Sequence, residues 1–174
     1  RRTTDICENL KADSHEAFVT EKTGLVLDPY FSATKIRWVL DNVPGAKSAS
    51  EHGELACGTI DSWLLWKLTN GNAHLIEASN AARTLLLDID KVTWDEQLLA
   101  LFNIPASILP SVVASSEIIT TASIRELKDI PISGIAGDQQ AALFGQSCFQ
   151  VGDTKCTYGT GCFLLVNTGT KRAH

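Results

Sequence analysis

The run Ile132-Ser133-Gly134-Ile135-Ala136-Gly137-Asp138-Gln139-Gln140-Ala141-Ala142-Leu143-Phe144-Gly145-Gln146 joins a short apolar stretch to one acidic residue and then to an Ala/Leu-rich segment. Its first part reads as a buried strand over 132–136 and its last as a helix over 138–146. A strand that passes through glycines straight into a helix implies an α/β body. It also holds a carboxylate at the carboxyl end of the strand, where open α/β sheets bind ligands. Further on, Thr157-Tyr158-Gly159-Thr160-Gly161-Cys162-Phe163 brings small residues and hydroxyls that can approach phosphate oxygens closely. A carboxylate able to take a proton, near a loop able to hold a phosphoryl group, suggests kinase chemistry. Asp138 equally suits an N-cap, which would spend its lone pairs on its own helix. Gly-Thr-Gly alone also suits a β-turn with one residue at positive φ.

The bulk properties narrow the choice. With 174 residues, 44% of them hydrophobic and 20% charged, the chain matches one good-sized globular domain, or one domain and part of another. No apolar run approaches the ~18 residues that suggest a membrane span. A net charge of −5 without a Lys/Arg-rich stretch argues against nucleic acid as a partner. Phosphate would have to be held locally, by loops and helix termini. The cysteines (Cys7, Cys57, Cys148, Cys156, Cys162) are odd in number and form no Cys-x-x-Cys, so neither a disulfide framework nor a zinc site is expected. No Asn-x-Ser/Thr or signal-peptide pattern is present, which leads us to expect a reduced, cytoplasmic protein. His15, His52, His74 and His174 are scattered and read as surface residues without a metal role. There is no methionine, and both ends read as cut from something larger, so an internal segment of a longer protein is expected.

Along the chain, helices are expected over 3–12 and 14–21, then a turn at Thr23-Gly24, an extended Leu25-Val26-Leu27 and a break at Asp28-Pro29. Ser32 reads as the N-cap of a helix whose Ile36, Val39 and Leu40 form one face, stopped by Pro44-Gly45. The helix 61–68 carries Trp63, Leu64, Leu65 and Trp66; apolar all round, it reads as buried between layers. A short strand follows at 74–76. Thr93-Trp94-Asp95-Glu96 reads as a capping box in which Thr93 serves the Glu96 N–H. Leu98, Leu99 and Phe102 form the core face of that helix, which Pro105 closes. Strands are expected at 117–120 and, as a hairpin, at 155–160 and 162–167.

Several familiar motifs are absent: no Gly-x-x-x-x-Gly-Lys-Ser/Thr and no Gly-x-Gly-x-x-Gly occurs. Ser32-Ala33-Thr34-Lys35 matches the Ser-x-x-Lys of penicillin-binding enzymes, but its companion motifs are missing. The longer run Tyr30-Phe31-Ser32-Ala33-Thr34-Lys35-Ile36-Arg37-Trp38-Val39-Leu40-Asp41-Asn42 resembles the first signature of the FGGY carbohydrate kinases. A capped amphipathic helix explains Ser32, Ile36 and Val39 but not the placing of Tyr30, Lys35 and Trp38. The resemblance extends through 23–30, 58–64, 131–146 and 157–163, in order, and is closest to members that phosphorylate glycerol.

That resemblance implies an actin-like ATPase architecture of ribonuclease-H-like α/β domains, here partial, with a mixed sheet flanked by helices. It implies that 1–147 belong to the C-terminal part of the first domain and 148–174 to the opening strands of the second. Asp138 aligns with the catalytic base and is able to meet Mg²⁺ through water. Gln139 and Tyr30 align with residues that bond the glycerol hydroxyls, and Phe163 with one that packs on the carbon edge. Thr160, between Gly159 and Gly161, aligns with a contact to the nucleotide phosphates. The implied partners are glycerol, ATP/ADP and Mg²⁺, in a homo-oligomeric parent. Other readings are a kinase for a different polyol or sugar, such as a pentulose, and a non-catalytic scaffold. Two departures stand out: Ala82 in Asn80-Ala81-Ala82-Arg83-Thr84, where the family usually has Ser, and Cys156, where Asn is more usual. The family's Asp-x-Gly-Thr-Thr phosphate loop, an Arg-Glu pair and a glycerol-binding Trp are not in this sequence, so the chain by itself is expected to be inactive.

Overall fold

The computed structural model describes residues 2–172, so Arg1 and His174 lie outside the described residues. The chain divides into two compact units, one ending at Ile135 and the other beginning at Ala136.

In the first unit, α1 (Thr4–Ala12) and α2 (Glu16–Thr23) lead to Gly24, whose φ of 69° makes a left-handed C-cap. The 25–27 segment enters no strand pair, although Leu27 is fully buried. Ser32 does not cap α3 (Ser32–Asn42); it is the first helical residue, and Phe31 occupies the cap without a side-chain bond. The second helical N–H, which a capping hydroxyl would have served, is instead taken by the Thr84 carbonyl (Ala33 N to O, 2.9 Å). The buried side of α3 is Ala33, Thr34 and Leu40; Val39 is exposed and leaves the expected face. A short α4 (Ala46–Glu51), unmarked by sequence periodicity, follows Gly45 at φ 83°.

The helix α5 (Ile60–Leu68) departs furthest from expectation. Within its unit Ile60, Trp63 and Leu64 are 76%, 58% and 51% exposed, and only Asp61, Ser62 and Leu65 are buried. A helix apolar all round has no preferred inner side. Here Asp61 selects it, because its Oδ2 accepts the Glu77 N–H at 2.8 Å. His74 is likewise more than a surface residue: it is half-buried, Nε2 bonds the Cys57 carbonyl oxygen at 2.8 Å, and the ring meets Trp66 edge-on.

The strands form four two-stranded ladders among the described residues, one parallel and three antiparallel. The parallel pair is β1 (Leu75–Glu77) with β4 (Ser111–Val113). Between them lie α6 (Ala78–Ala81), the antiparallel β2 (Leu87–Asp88) and β3 (Thr93–Trp94), and α7 (Glu96–Leu101). The capping box is not built as expected: Thr93 lies in β3, and Asp95 caps α7 by accepting from Gln97 N and Leu98 N. The expected apolar face of α7 is present, with Leu98, Leu99 and Phe102 all buried. They join Cys7, Val19, Leu27, Phe31 and Leu86 in the main core. β5 (Ser116–Thr121) pairs with β6 (Pro131–Gly134) across a register shift. β6 is largely exposed rather than buried, since β5 is its sole ladder partner and no layer of this unit covers it.

The second unit consists of α8 (Asp138–Gly145) and a hairpin of β7 (Thr154–Tyr158) and β8 (Cys162–Val166). Among the described residues, no helix is long and apolar enough to cross a membrane.

Two charge networks in the first unit generate predictions. Glu77 is fully buried; its carboxylate accepts from the Ser79 N–H and hydroxyl, the Asn80 N–H and side-chain amide, and the Ser115 hydroxyl. Burial alone would raise its pKa, yet the bonds from Ser115, Ser79 and Asn80 outweigh it and hold the group below the usual carboxylate range. Glu77→Ala strands several donors and is expected to cost roughly 2–5 kcal/mol in urea unfolding. A folded pKa below the unfolded one means that Glu77 stabilises fully at neutral pH. Its contribution fades as pH falls through the folded value, and Glu77→Gln should remove that part of the acid limb. In the other network, Lys22 Nζ bridges Asp88 and Asp95, each at 3.2 Å, and both carboxyls are held low despite their burial. Lys22→Met is expected to shift acid unfolding to higher pH, as read by circular dichroism.

Candidate active site

Asp138 stands at the start of α8, one residue after the Gly137 N-cap, and is exposed. Its carboxylate does not cap the helix. Its single hydrogen-bond partner among the described residues is the Gln139 side chain, whose Nε2 donates to Oδ2 at 3.1 Å. Oδ1 is therefore open. The capping alternative raised by the sequence is excluded, and the lone pairs a proton acceptor needs remain available.

Gln139 is itself held from the other side. The Lys155 ammonium donates to Gln139 Oε1, and at 2.7 Å to the Thr157 hydroxyl. An ammonium has only donors, so the oxygen of the Gln139 amide must face Lys155 and the NH₂ must face Asp138. One N–H of that NH₂ remains for a hydroxyl. Lys155 is 2% exposed, the most deeply buried cation of this unit. Sequence reading did not single it out, yet a signal was present. In the hairpin register Lys155 opposes Leu165 and Thr157 opposes Phe163, so a lysine falls on the face that strand alternation turns inward.

The loop between β7 and β8 is Gly159-Thr160-Gly161, and all three residues are exposed. None has a positive φ, so the turn reading does not explain its glycines. Space does at one of them: a Cβ on Gly161 would lie 2.8 Å from Cε2 of Phe163. The Phe163 ring thus packs on the bare Gly161 backbone, which leaves the loop thin beside Thr160. Asp138, Gln139, Gly159, Thr160, Gly161 and Phe163 all belong to the second unit.

Tyr30 belongs to the first unit, in the turn before α3. An Asx-type bond from its N–H to Asp28 Oδ1 at 2.7 Å sets the turn. Lys35 Nζ donates to the Tyr30 carbonyl at 2.6 Å and lies 5.9 Å from its ring centroid, while the Arg2 guanidinium lies over Trp38. This accounts for the spacing of Tyr30, Lys35 and Trp38, which a capped helix did not explain. The Tyr30 ring is mostly exposed.

Of the candidate residues, Asp138 is the one that would meet a magnesium ion. Mg²⁺ usually keeps several waters and takes one or two carboxylates plus substrate phosphates. A single carboxylate with an open oxygen suits that mode. No group of three or more His, Cys, Asp or Glu suited to a metal gathers among the described residues.

The sequence pattern of the FGGY family of carbohydrate kinases, N-terminal domain, matches residues 1–145. A glycerol kinase of Shewanella baltica is 58% identical over 172 residues, which cover 98% of this chain and 35% of that protein. One from Dechloromonas aromatica is 59% identical over 170 residues, covering 97% of this chain and 34% of the relative. Among solved structures, Plasmodium falciparum glycerol kinase with ADP superposes with a TM-score of 0.93 at 38% identity, over 98% of this chain and 34% of that one. A xylulose kinase of Rhodospirillum rubrum shares the fold, with a TM-score of 0.82 at 19% identity, over 95% of this chain and 34% of its own. The chain thus spans about a third of the length of these relatives. It has the α/β, actin-like ATPase fold of those kinases, and it belongs to the FGGY family of carbohydrate kinases.

Proposed function

We propose that the whole protein transfers the γ-phosphoryl group of ATP to glycerol, giving sn-glycerol 3-phosphate and ADP, with Asp138 as general base. The observation that carries this reading is the uncapped Asp138 carboxylate. One of its oxygens is held by Gln139 and the other is open to a substrate hydroxyl. The resemblance to glycerol kinases over nearly the entire chain supports the choice of substrate.

In this reading the glycerol hydroxyl donates its proton to Asp138 Oδ1 as its oxygen reaches the γ-phosphorus and the bond to the departing ADP oxygen breaks. Phosphoryl transfer proceeds through a loose transition state, so deprotonation lags and the base need not approach the alcohol in basicity. Gln139 turns its remaining N–H to a second hydroxyl and Phe163 covers the carbon edge; Tyr30 is assigned a glycerol contact from the resemblance alone. Thr160 contacts the nucleotide phosphates, with Gly159 and Gly161 keeping the loop thin. Mg²⁺ bound with ATP supplies charge neutralisation at the phosphate oxygens. Tyr30 and Phe163 favour a small triol over a pentulose. We further assign 1–147 to the first kinase domain and 148–174 to the second. The chain alone holds part of the phosphate clamp and is expected to turn over no ATP.

The test is a coupled kinase assay on the whole protein with glycerol, dihydroxyacetone, xylulose and gluconate. Asp138→Asn is expected to lower kcat about 10²–10⁴-fold, the range for a positioned base, with little change in glycerol affinity. Near-full activity in that variant would remove Asp138 from the chemistry; preference for a larger sugar would move the substrate. Lys155→Met removes the bond that sets the Gln139 amide. It is expected to lower kcat/KM for glycerol by roughly ten- to a hundredfold, the loss of one charged hydrogen bond.

A further inference from the structure

Cys156 and Cys162 stand on the two strands of the hairpin, on either side of Gly159-Thr160-Gly161. The register sets Tyr158 opposite Cys162 and Cys156 opposite Leu164. The two cysteines are therefore diagonal neighbours on one face, the opposite one from Lys155 and Thr157. Their Sγ atoms are 3.8 Å apart and both side chains are exposed. The other thiols differ. Cys7 is buried and its thiol pushed up by burial; Cys57 is pushed up to about 11 for the same reason. Cys148 is half-buried and faces the Gln146 carbonyl.

We propose that Cys156 and Cys162 form a reversible redox site that closes to a disulfide across the mouth of the Gly159–Gly161 loop when exposed to a peroxide. The Cys156 thiolate attacks the O–O bond of the peroxide; an S–O bond forms, the O–O bond breaks, and with hydrogen peroxide the released hydroxide takes a proton to become water. The Cys162 sulfur then attacks the sulfenic sulfur. The S–S bond forms, the S–O bond breaks, and the second water leaves. Two thiols lose two electrons and one peroxide gains them. The hydrogen bond with Cys156 pushes the Cys162 thiol up and does the same to Tyr158; as Cys162 gives its sulfur in the second step, its proton passes to the departing hydroxide.

Diagonal positions across an antiparallel pair have Cα atoms roughly 7–8 Å apart. Disulfides usually span about 4.4–6.8 Å, so closure must draw the strand ends together at the loop. Such a bond is readily reduced, as a switch requires. The consequence for phosphate binding rests on the proposed nucleotide role of Thr160; disulfide formation itself does not.

The test begins with the whole protein in graded hydrogen peroxide, followed by alkylation of free thiols in denaturant and digestion with trypsin. Cleavage after Lys155 and Lys171 releases 156–171, which carries Cys156 and Cys162 and no other cysteine. The expected result is a peptide lighter by two hydrogens and closed to alkylation, at peroxide levels that leave Cys148 free, with full reversal by dithiothreitol. Cys162→Ser should trap Cys156 as a sulfenic acid that reacts with dimedone, and Cys156→Asn should leave Cys162 alkylatable at the same peroxide level. Both cysteines remaining alkylatable after Cys148 has oxidised, or bonding only to other molecules, would overturn the proposal. ADP binding to the whole protein then separates the two ideas. Weaker binding by the oxidised form, restored by reduction, supports the loop consequence, whereas equal binding with the disulfide present retires the Thr160 role and leaves the redox site standing.

Discussion

One buried ammonium organises the second unit. Lys155 has neutral partners, an amide oxygen and a hydroxyl, and an ammonium taken out of water is tolerated only where such acceptors replace its hydration. Meeting that demand ties the start of α8 to β7 and removes the freedom of the Gln139 amide to turn over. The direction of that amide then decides what Asp138 meets: an N–H that steadies one carboxylate oxygen, rather than a carbonyl that would repel it. The carboxylate at the helix start is therefore steadied through a cation inside the hairpin.

The first unit solves the opposite problem by the same means. Glu77 is a buried anion whose oxygens are served by backbone amides, hydroxyls and a side-chain amide instead of a cation. It sits at the start of α6, where unpaired N–H groups already favour negative charge. Through Ser115 the same carboxylate reaches the residue just before β5. Asp61 takes the Glu77 N–H, so the inner side of α5 is fixed by polar contacts and not by its apolar content.

This explains which parts were legible in the sequence. The helix from Asp138 and the hairpin around Gly-Thr-Gly were, because glycines, a polar start and strand alternation are local signals. So was the apolar face of α7. The burial of α5 and β6 was not: apolar side chains reveal a surface that avoids water, not which layer covers it, and within the described unit Trp63 stays 58% exposed beneath only the Lys67 ammonium while β6 is largely exposed. The capping residues at Ser32 and Thr93 were misassigned for a related reason. Residue type marks a competent cap, but the actual acceptors were the Thr84 carbonyl, distant in sequence, and Asp95, two places further on. Lys155 was missed because a lysine in a strand is ordinarily taken for a solvent-facing residue. Its inward position becomes visible only once the register is set against Leu165.

The two departures from the family pattern have different physical weight. Ala82 follows α6, and its N–H already bonds the Ala78 carbonyl at 2.9 Å, so the backbone there closes without a side-chain hydroxyl. Cys156 lies on the outward side of β7, beside Tyr158 and across from Leu164, where no bond of the Asp138–Gln139–Lys155 chain is altered. The inward face of the hairpin carries the charge that orders the candidate site, and a substitution there would disturb it. The outward face carries none of those bonds, so a side chain can change there while the Asp138–Gln139–Lys155 contacts keep their partners.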